Sequence, residues 1–397
     1  MTTHDRLREL VEREIPALTE LRRDLHAHPE LGLQEHRTSG VVARELAAAG
    51  IDRQTGLAGG TGVLGHIRGA SPTAIALRAD MDALPIEEVT GVPWASTVPG
   101  VMHACGHDGH TTILIGAARV LAQVAREHSL ARGVTLVFQP AEECLDGAAR
   151  MIADGCLKGR LGPPVDEIYG LHGWPFLPVG TIGVRNGALL AAGDFFTVTL
   201  RGQTAHAGWP HLSADVIVAM SAIISSLQSI VSRNSDPNEP VVVSVCKIRA
   251  GEALNVLPPT ATFEGTIRTL GGRSRERTLE RFGTIVEGVA RAHGCEASVD
   301  MLYGCPATIN EPAATDAVRS AVRATRSATL AEVGEPCMGG EDFAWYGDHA
   351  RASFFLLGLR GKDAATMPSL HDGAFDFNDD ALALGIEAMC RVALASR

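Results

Sequence analysis

The chain has 397 residues, 45% of them hydrophobic and 20% charged, with a formal net charge of -11 and no long run of Lys or Arg. That length suits about two to three domains with a sizeable core, and the balance excludes disordered and collagen-like classes. An acidic chain repels phosphate backbones, so nucleic acid is set aside as a partner.

The start, MTTHDRLREL, lacks the basic segment and apolar core of a secretory signal. The longest greasy stretch, Val216–Leu227, is short and carries serines, so no membrane span is expected. Eight scattered cysteines with no CxxC pair suggest reduced thiols, and with them a cytoplasmic location.

Helical spacing runs through residues 5–28, where Pro16 predicts a kink or a second start, and again from about Thr38 to Ala49. Short apolar runs follow at Gly62–Ile67, Thr73–Leu77, Val134–Phe138 and Glu167–Leu171, with a helix at His110–Val124 between them. Runs apolar on both faces, alternating with helices, predict a mixed, largely parallel sheet flanked by helices. From about Ala188 the texture changes. Phe195–Arg201 alternates like a half-exposed strand. After it come a helix near Ser213–Ser232, strands Val241–Arg249 and Thr260–Arg268, a charged helix Ser274–His293 and a strand Cys295–Tyr303. The α/β texture then returns with a helix near Ala313–Thr325 and a strand at Ser353–Leu357. The expected organisation is a discontinuous α/β domain, 1–187 plus 304–397, interrupted by an α+β insert, 188–303.

The predicted strands share one feature. Thr73–Leu77 runs into Asp80 and Asp82, Val134–Phe138 into Glu142 and Glu143, Glu167–Leu171 into His172, and Ser353–Leu357 precedes a loop with His371. Open α/β sheets bind ligands beyond such strand ends. Cys105 and His107, two residues apart before a helix, add a thiol and an imidazole, which suit a transition metal. Taken singly these residues also fit ordinary structural roles: a buried Cys, a capping His, a surface pair of carboxylates. Together, Cys105, His107, Glu143, His172 and His371 are enough donors for two ions if one ligand bridges them. Adjacent side chains point different ways, so of Glu142 and Glu143 one can bind metal while the other handles protons.

In order along the chain stand Asp24–Glu30 (DLHAHPE), Arg78–Pro85 (RADMDALP), Met102–Asp108 (MHACGHD), Gln139–Glu143 (QPAEE), Leu171-His172, Gly202–Pro210, Ala253–Pro258 (ALNVLP), Gly265–Arg268 (GTIR), Gly340–Phe343 (GEDF) and Leu370-His371. As a set they resemble the amidohydrolase branch of the M20 peptidase superfamily. The resemblance implies a two-metal catalytic domain with an inserted dimerisation or lid domain. It implies Cys105, His107, Glu143, His172 and His371 as metal ligands, with Cys105 bridging, and Glu142 as general acid/base. It further implies that Asp82 supports a ligand His and that His206 reaches the partner's active site. Asn255 and Arg268 would hold the substrate carboxylate, with Gly340 beside the substrate. Zinc or manganese is the expected metal pair, with cobalt or nickel as alternatives. The implied reaction is hydrolysis of N-acyl amino acids by a homodimer. Dipeptide or carbamoyl-amide hydrolysis on the same centre is the alternative. A Cys105 thiol nucleophile with His107 as base, or a non-enzymatic binding protein, is the more distant one. The sequence departs from the family pattern at Cys144–Gly147, Trp209 and Asp372–Ala374, positions that bear on pocket shape rather than on the donors.

Overall fold

The computed structural model describes residues 3–325 and 328–395. It divides into two compact units. One comprises residues up to 189 with 309–335 and 342–397, and the other 190–308 with 336–341. The short 336–341 segment therefore clusters with the second unit, although the sequence reading groups it with the discontinuous domain.

The first unit is built on an eight-stranded sheet. Across the sheet the strands run Asp52–Leu57, Gly62–Ile67, Gly133–Gln139, Ala74–Asp80, Val165–Pro178, Arg351–Arg360, Thr181–Val184 and Thr329–Glu332. The central four, Gly133–Gln139 through Arg351–Arg360, are mutually parallel, and antiparallel pairs occur toward the edges. Gly62–Ile67, Ala74–Asp80 and Gly133–Gln139 are buried along their whole length, as continuous apolar runs covered on both faces require. Helix His107–Glu127 packs against Thr3–Ala27 and against Leu382–Ala395, closing the core around Leu18, Ile113, Leu114, Leu136 and Phe355.

Three expectations are adjusted. Pro16 neither breaks nor restarts the first helix, which is continuous over Thr3–Ala27. Pro16 is exposed, so the carbonyl it leaves unpaired faces water, while Leu10, Val11 and Leu18 hold both halves to the core. The third of these central strands is longer than its apolar run and extends over Val165–Pro178, so His172 lies inside it, opposite Leu356. The helix preceding the site starts at His107, not His110.

The chain leaves Ala74–Asp80 for Gly133–Gln139 on one side and then crosses to Val165–Pro178 on the other. Such a reversal opens a crevice at the carboxyl end of the strand between them, here at Asp80.

The second unit is a four-stranded antiparallel sheet in the order Val241–Ala250, Thr260–Thr269, Ala192–Arg201, Glu296–Tyr303. Ala192–Arg201 alternates buried and half-buried residues along its outer half, so the sheet covers one face. Helices Val216–Ser229 and Gly272–Ala292 supply Ile223, Leu227, Phe282 and Val286 to a core with Phe196, Val198 and Phe263. The first helix continues as a π-helical turn, Ile230–Asn234. Val216–Asn234 is long and apolar enough to cross a membrane by length and composition. One of its faces is buried in this unit's core, and Ser221, Ser225 and Ser226 interrupt it.

Candidate metal centre

Two loops and one helix start bring the donors together. Gly106 adopts φ 85°, the left-handed conformation glycine tolerates, and turns the chain so that Cys105 and His107 flank the start of helix His107–Glu127. The 140–147 loop turns sharply after Gln139. A Cβ on Gly147 would lie 1.7 Å from the Pro140 carbonyl oxygen, so only glycine allows this closure. Ala141, Leu145 and His371 take positive φ without being glycine (55°, 57° and 64°), the kind of backbone strain that surrounding contacts must hold in place. For Ala141 the holder is Glu35, whose Oε1 accepts from the Ala141 amide at 2.8 Å while Oε2 accepts from Thr61. For His371 it is the Ala104 carbonyl, which accepts the His371 amide at 2.9 Å.

The result is two adjoining donor groups. Cys105, His107 and His172 form one and Cys105, Glu143 and His371 the other, each with ligand atoms within 4.8 Å of one another. Cys105 belongs to both. Its sulfur lies 3.4 Å from His172 Nε2. His371 Nε2 lies 3.2 Å from Glu143 Oε1. Glu142 is buried, and its Oε2 lies 4.0 Å from His107 Nε2.

The surrounding groups orient the donors. Asp82 Oδ1 faces His107 Nδ1 at 3.2 Å, and Oδ2 accepts from the Glu143 amide at 3.0 Å. His107 Nε2 thus points away from Asp82, buried and without a hydrogen-bond partner. His172 Nδ1 donates to the Gly173 carbonyl at 2.8 Å, which leaves Nε2 as a lone pair toward Cys105. His110 Nε2 accepts from the Gly173 amide at 2.7 Å, so its Nδ1 donates to Asp80 at 2.7 Å. Asp80 in turn accepts from Arg78, and Arg78 and Gln139 both reach Asp342.

The electrostatics are those of a site short of positive charge. Burial, and then the carboxylates of Glu143, Glu142 and Asp80, push the Cys105 thiol well above its usual range. Burial pulls the His107 imidazole down, but Asp80 and Asp82 outweigh it and raise it to about 10. Burial and the neighbouring His110 hold His172 well below its usual value. Without a cation, Cys105 and His107 keep their protons, and a divalent ion would displace both. Thiolate, imidazole and carboxylate donors, an orphaned buried His107 nitrogen and a ring of acids together fit transition-metal binding.

The sequence reading therefore has Cys105, His107, Glu142, Glu143, His172, His371 and Asp82 in one place. It assigned no role to Asp80, His110, Gln139 or Asp342. His110 was detectable as the residue three after His107, on the same helical face. Asp80 precedes Asp82 by two in an extended segment, which again shares a face.

The remaining predicted residues form two pairs in the second unit. Val256 pairs with His206 in a short two-stranded ribbon, and the Ala207 amide donates to the Asn255 carbonyl at 3.0 Å. His206 is exposed, with its ring 5.1 Å from that of Trp209. Arg268 lies opposite Gly193, its Nε donates to Thr266 Oγ1 at 3.1 Å, and a Cβ on Gly340 would come within 3.0 Å of its Nη1.

Residues 76–395 match peptidase family M20/M25/M40. The chain belongs to this family. It is 41% identical over 364 residues to the N-acetyl-L-cysteine deacetylase of Bacillus subtilis, covering 91% of this chain and 84% of that one. It is 37% identical to the IAA-amino acid hydrolase ILR1-like 2 of Arabidopsis thaliana, over 93% and 82% of the two chains. Among solved structures, it superposes with a TM-score of 0.82 on a dinuclear metal binding peptidase of the M20 family from Bacillus subtilis, at 36% identity over 96% and 98% of the chains. The M20 protein described here is a metal-dependent amidohydrolase.

Proposed function

We propose that this M20 amidohydrolase cleaves the amide bond of N-acyl amino acids, releasing a carboxylic acid and a free amino acid. The observation that carries the reading is the pair of donor groups sharing Cys105, with the buried carboxylate of Glu142 beside them. Two divalent ions held by Cys105, His107, Glu143, His172 and His371 would supply Lewis acidity that polarises the scissile carbonyl and lowers the pKa of water to about 7. Zinc or manganese suits the mixed thiolate, imidazole and carboxylate set, with cobalt or nickel as substitutes.

The chain's own residues do the rest. Glu142 takes the proton from the attacking water and returns it to the departing nitrogen. Asp82 fixes the His107 ring and the Glu143 backbone at once, so both donors keep their aim. Arg268 offers a guanidinium fork for the substrate carboxylate, with Gly340 leaving it room and Asn255 assisting. His206 donates to the developing oxyanion from the partner subunit of a homodimer built through the second unit. The exposed Ile217, Val218 and Leu254 of that unit support such an interface. Trp174, with its ring 6.1 Å from that of His172, provides an apolar wall for the acyl group. The enzyme works in the cytoplasm, where its eight cysteines stay reduced.

The test is hydrolysis of a panel of N-acetyl, benzoyl and indole-acetyl amino acids, with chelator and then with Zn²⁺ or Mn²⁺ added back. Activity lost and restored supports the reading. Activity indifferent to chelator in protein shown metal-free by elemental analysis sinks it. Cleavage of dipeptides or carbamoyl amides alone would move the substrate class while leaving the centre intact.

A further inference from the structure

The second unit holds a cavity of about 350 Å³ whose wall contains none of the residues assigned to the metal centre or to the substrate. Its wall combines the π-helical turn Ile230–Asn234 with the first turns of helix Gly272–Ala292. Arg273, Arg277 and Arg281 all line it. They stand four residues apart, so they form one stripe with guanidiniums spaced about 6 Å along the axis. Like charges at that spacing repel, and a helix normally relieves them with carboxylates. Here none of the three has an ion-pair partner among the described residues, although Glu276 and Glu280 sit on the same helix. By contrast, Arg275 in the same turn grips the buried Asp194 with two bonds of 2.6 and 2.8 Å. Arg281 Nε is buried and without any hydrogen-bond partner, a donor whose desolvation nothing offsets. The two carboxylates in the wall do not meet the need: Asp236 is turned onto Asn238, accepting from its amide and Nδ2 at 2.9 and 3.1 Å, and Glu239 has no ion-pair partner among the described residues. Gly271 caps the helix without a side-chain bond, so its first amides also face an open end.

We propose that this cavity is a binding site for a small molecule with phosphate groups at both ends, separate from the metal centre. Three guanidiniums along about 12 Å of helix axis exceed what one phosphate spans, so two anionic groups are needed to engage them all. Hydroxyl and amide side chains of Ser274, Thr278, Ser235 and Asn234 suit a polar linker between them. Ile230 is the sole apolar side chain in the wall and no aromatic ring is present, which disfavours a nucleobase. A sugar bisphosphate has this form.

The experiment is isothermal titration of the metal-loaded full-length protein with fructose 1,6-bisphosphate, and with inorganic phosphate as the single-anion arm. Saturable binding of one bisphosphate per chain is expected, with inorganic phosphate weaker. Arg273→Ala and Arg277→Ala, both at exposed positions, should each weaken it about tenfold or more, as loss of a charge-assisted pair does. Arg291→Ala, on the same helix but outside the cavity, should leave it unchanged. No saturable binding up to about 10 mM, an affinity far below that of a built site, would overturn the proposal. So would equal affinity in the Arg273 and Arg277 variants, which would assign the heat to the metal centre or to nonspecific charge. Amide hydrolysis measured in parallel separates this site from the catalytic one, because Arg277→Ala should retain it.

Discussion

Asp82 spends both carboxylate oxygens on the metal-type cluster, one on the His107 ring and one on the Glu143 amide. His206 in the second unit, by contrast, is exposed, and its ring accepts only from a neighbouring backbone amide, Gly208 at 3.0 Å, and lies beside the exposed Trp209. In the first region every donor is buried or held by a second group, and orientation is fixed before any ligand arrives. In the second, Arg268, His206 and Asn255 have few partners, as residues do whose chief partner is a substrate or another subunit. The lesson is that a rigid site can be read from its supports, whereas an open one must be read from what its residues lack.

Substitutions test that contrast. The largest effect is expected at Glu142. Glu142→Gln removes the proton carrier, so kcat should fall about 10²–10⁴-fold with metal content near normal. Metal loss in that variant, measured by elemental analysis, would instead make Glu142 a ligand. Arg268→Ala in the open region should act on substrate rather than on metal. Its kcat/KM should drop about 10–100-fold through KM, the size of a lost charge-assisted pair, with no change in metal content. An unchanged KM would remove Arg268 from the substrate site. Asp82→Asn weakens a support of the rigid region. Metal affinity should fall about 10–100-fold, read by chelator competition, while KM for substrate stays put.

The last effect concerns stability rather than activity. Burial lowers the His26 imidazole, but Asp108 at 2.8 Å and Glu88 at 3.3 Å outweigh burial and raise it to about 10. A raised value means the folded protein binds this proton more tightly than the unfolded chain, whose His titrates near 6.5. The stabilisation is therefore full below about pH 6.5 and is lost as pH climbs through about 10. His26→Gln should cost about 3 kcal/mol at pH 6 and markedly less at pH 10.5, followed by denaturant unfolding. An equal loss at both pH values would show a packing role alone.

Much of this was legible in the sequence because the relevant signals are local. Gly62–Ile67 and the apolar core of Gly133–Gln139 stand out as short runs bounded by turn residues, and the acids and histidines follow them directly. What stayed hidden depends on distant partners. Thr329–Glu332 is a four-residue edge strand whose partner is Thr181–Val184, and nothing in its own pattern announces it. Val165–Pro178 outlasts its apolar run because Arg351–Arg360 continues beside it. Asp342 has no signal in its own neighbourhood, because its partners Arg78, Gln139 and the Ala148 amide come from distant segments. The bisphosphate cavity left no motif, since three arginines among glutamates read as a solvated helix face.

The sheet order also governs the order in which the protein can be made. Arg351–Arg360 lies between Val165–Pro178 and Thr181–Val184, yet more than 160 residues separate its synthesis from theirs. Translation proceeds at about 5–20 residues per second, so that gap stays open for roughly ten seconds or more on the ribosome. During that interval the edge of Val165–Pro178 that Arg351–Arg360 will cover has no partner, whereas residues 190–308 emerge as one contiguous stretch of the second unit. His371 emerges later still. The nascent chain thus passes through a stage in which the second unit is fully synthesised while the main sheet still has an exposed strand edge, the kind of edge that invites mispairing.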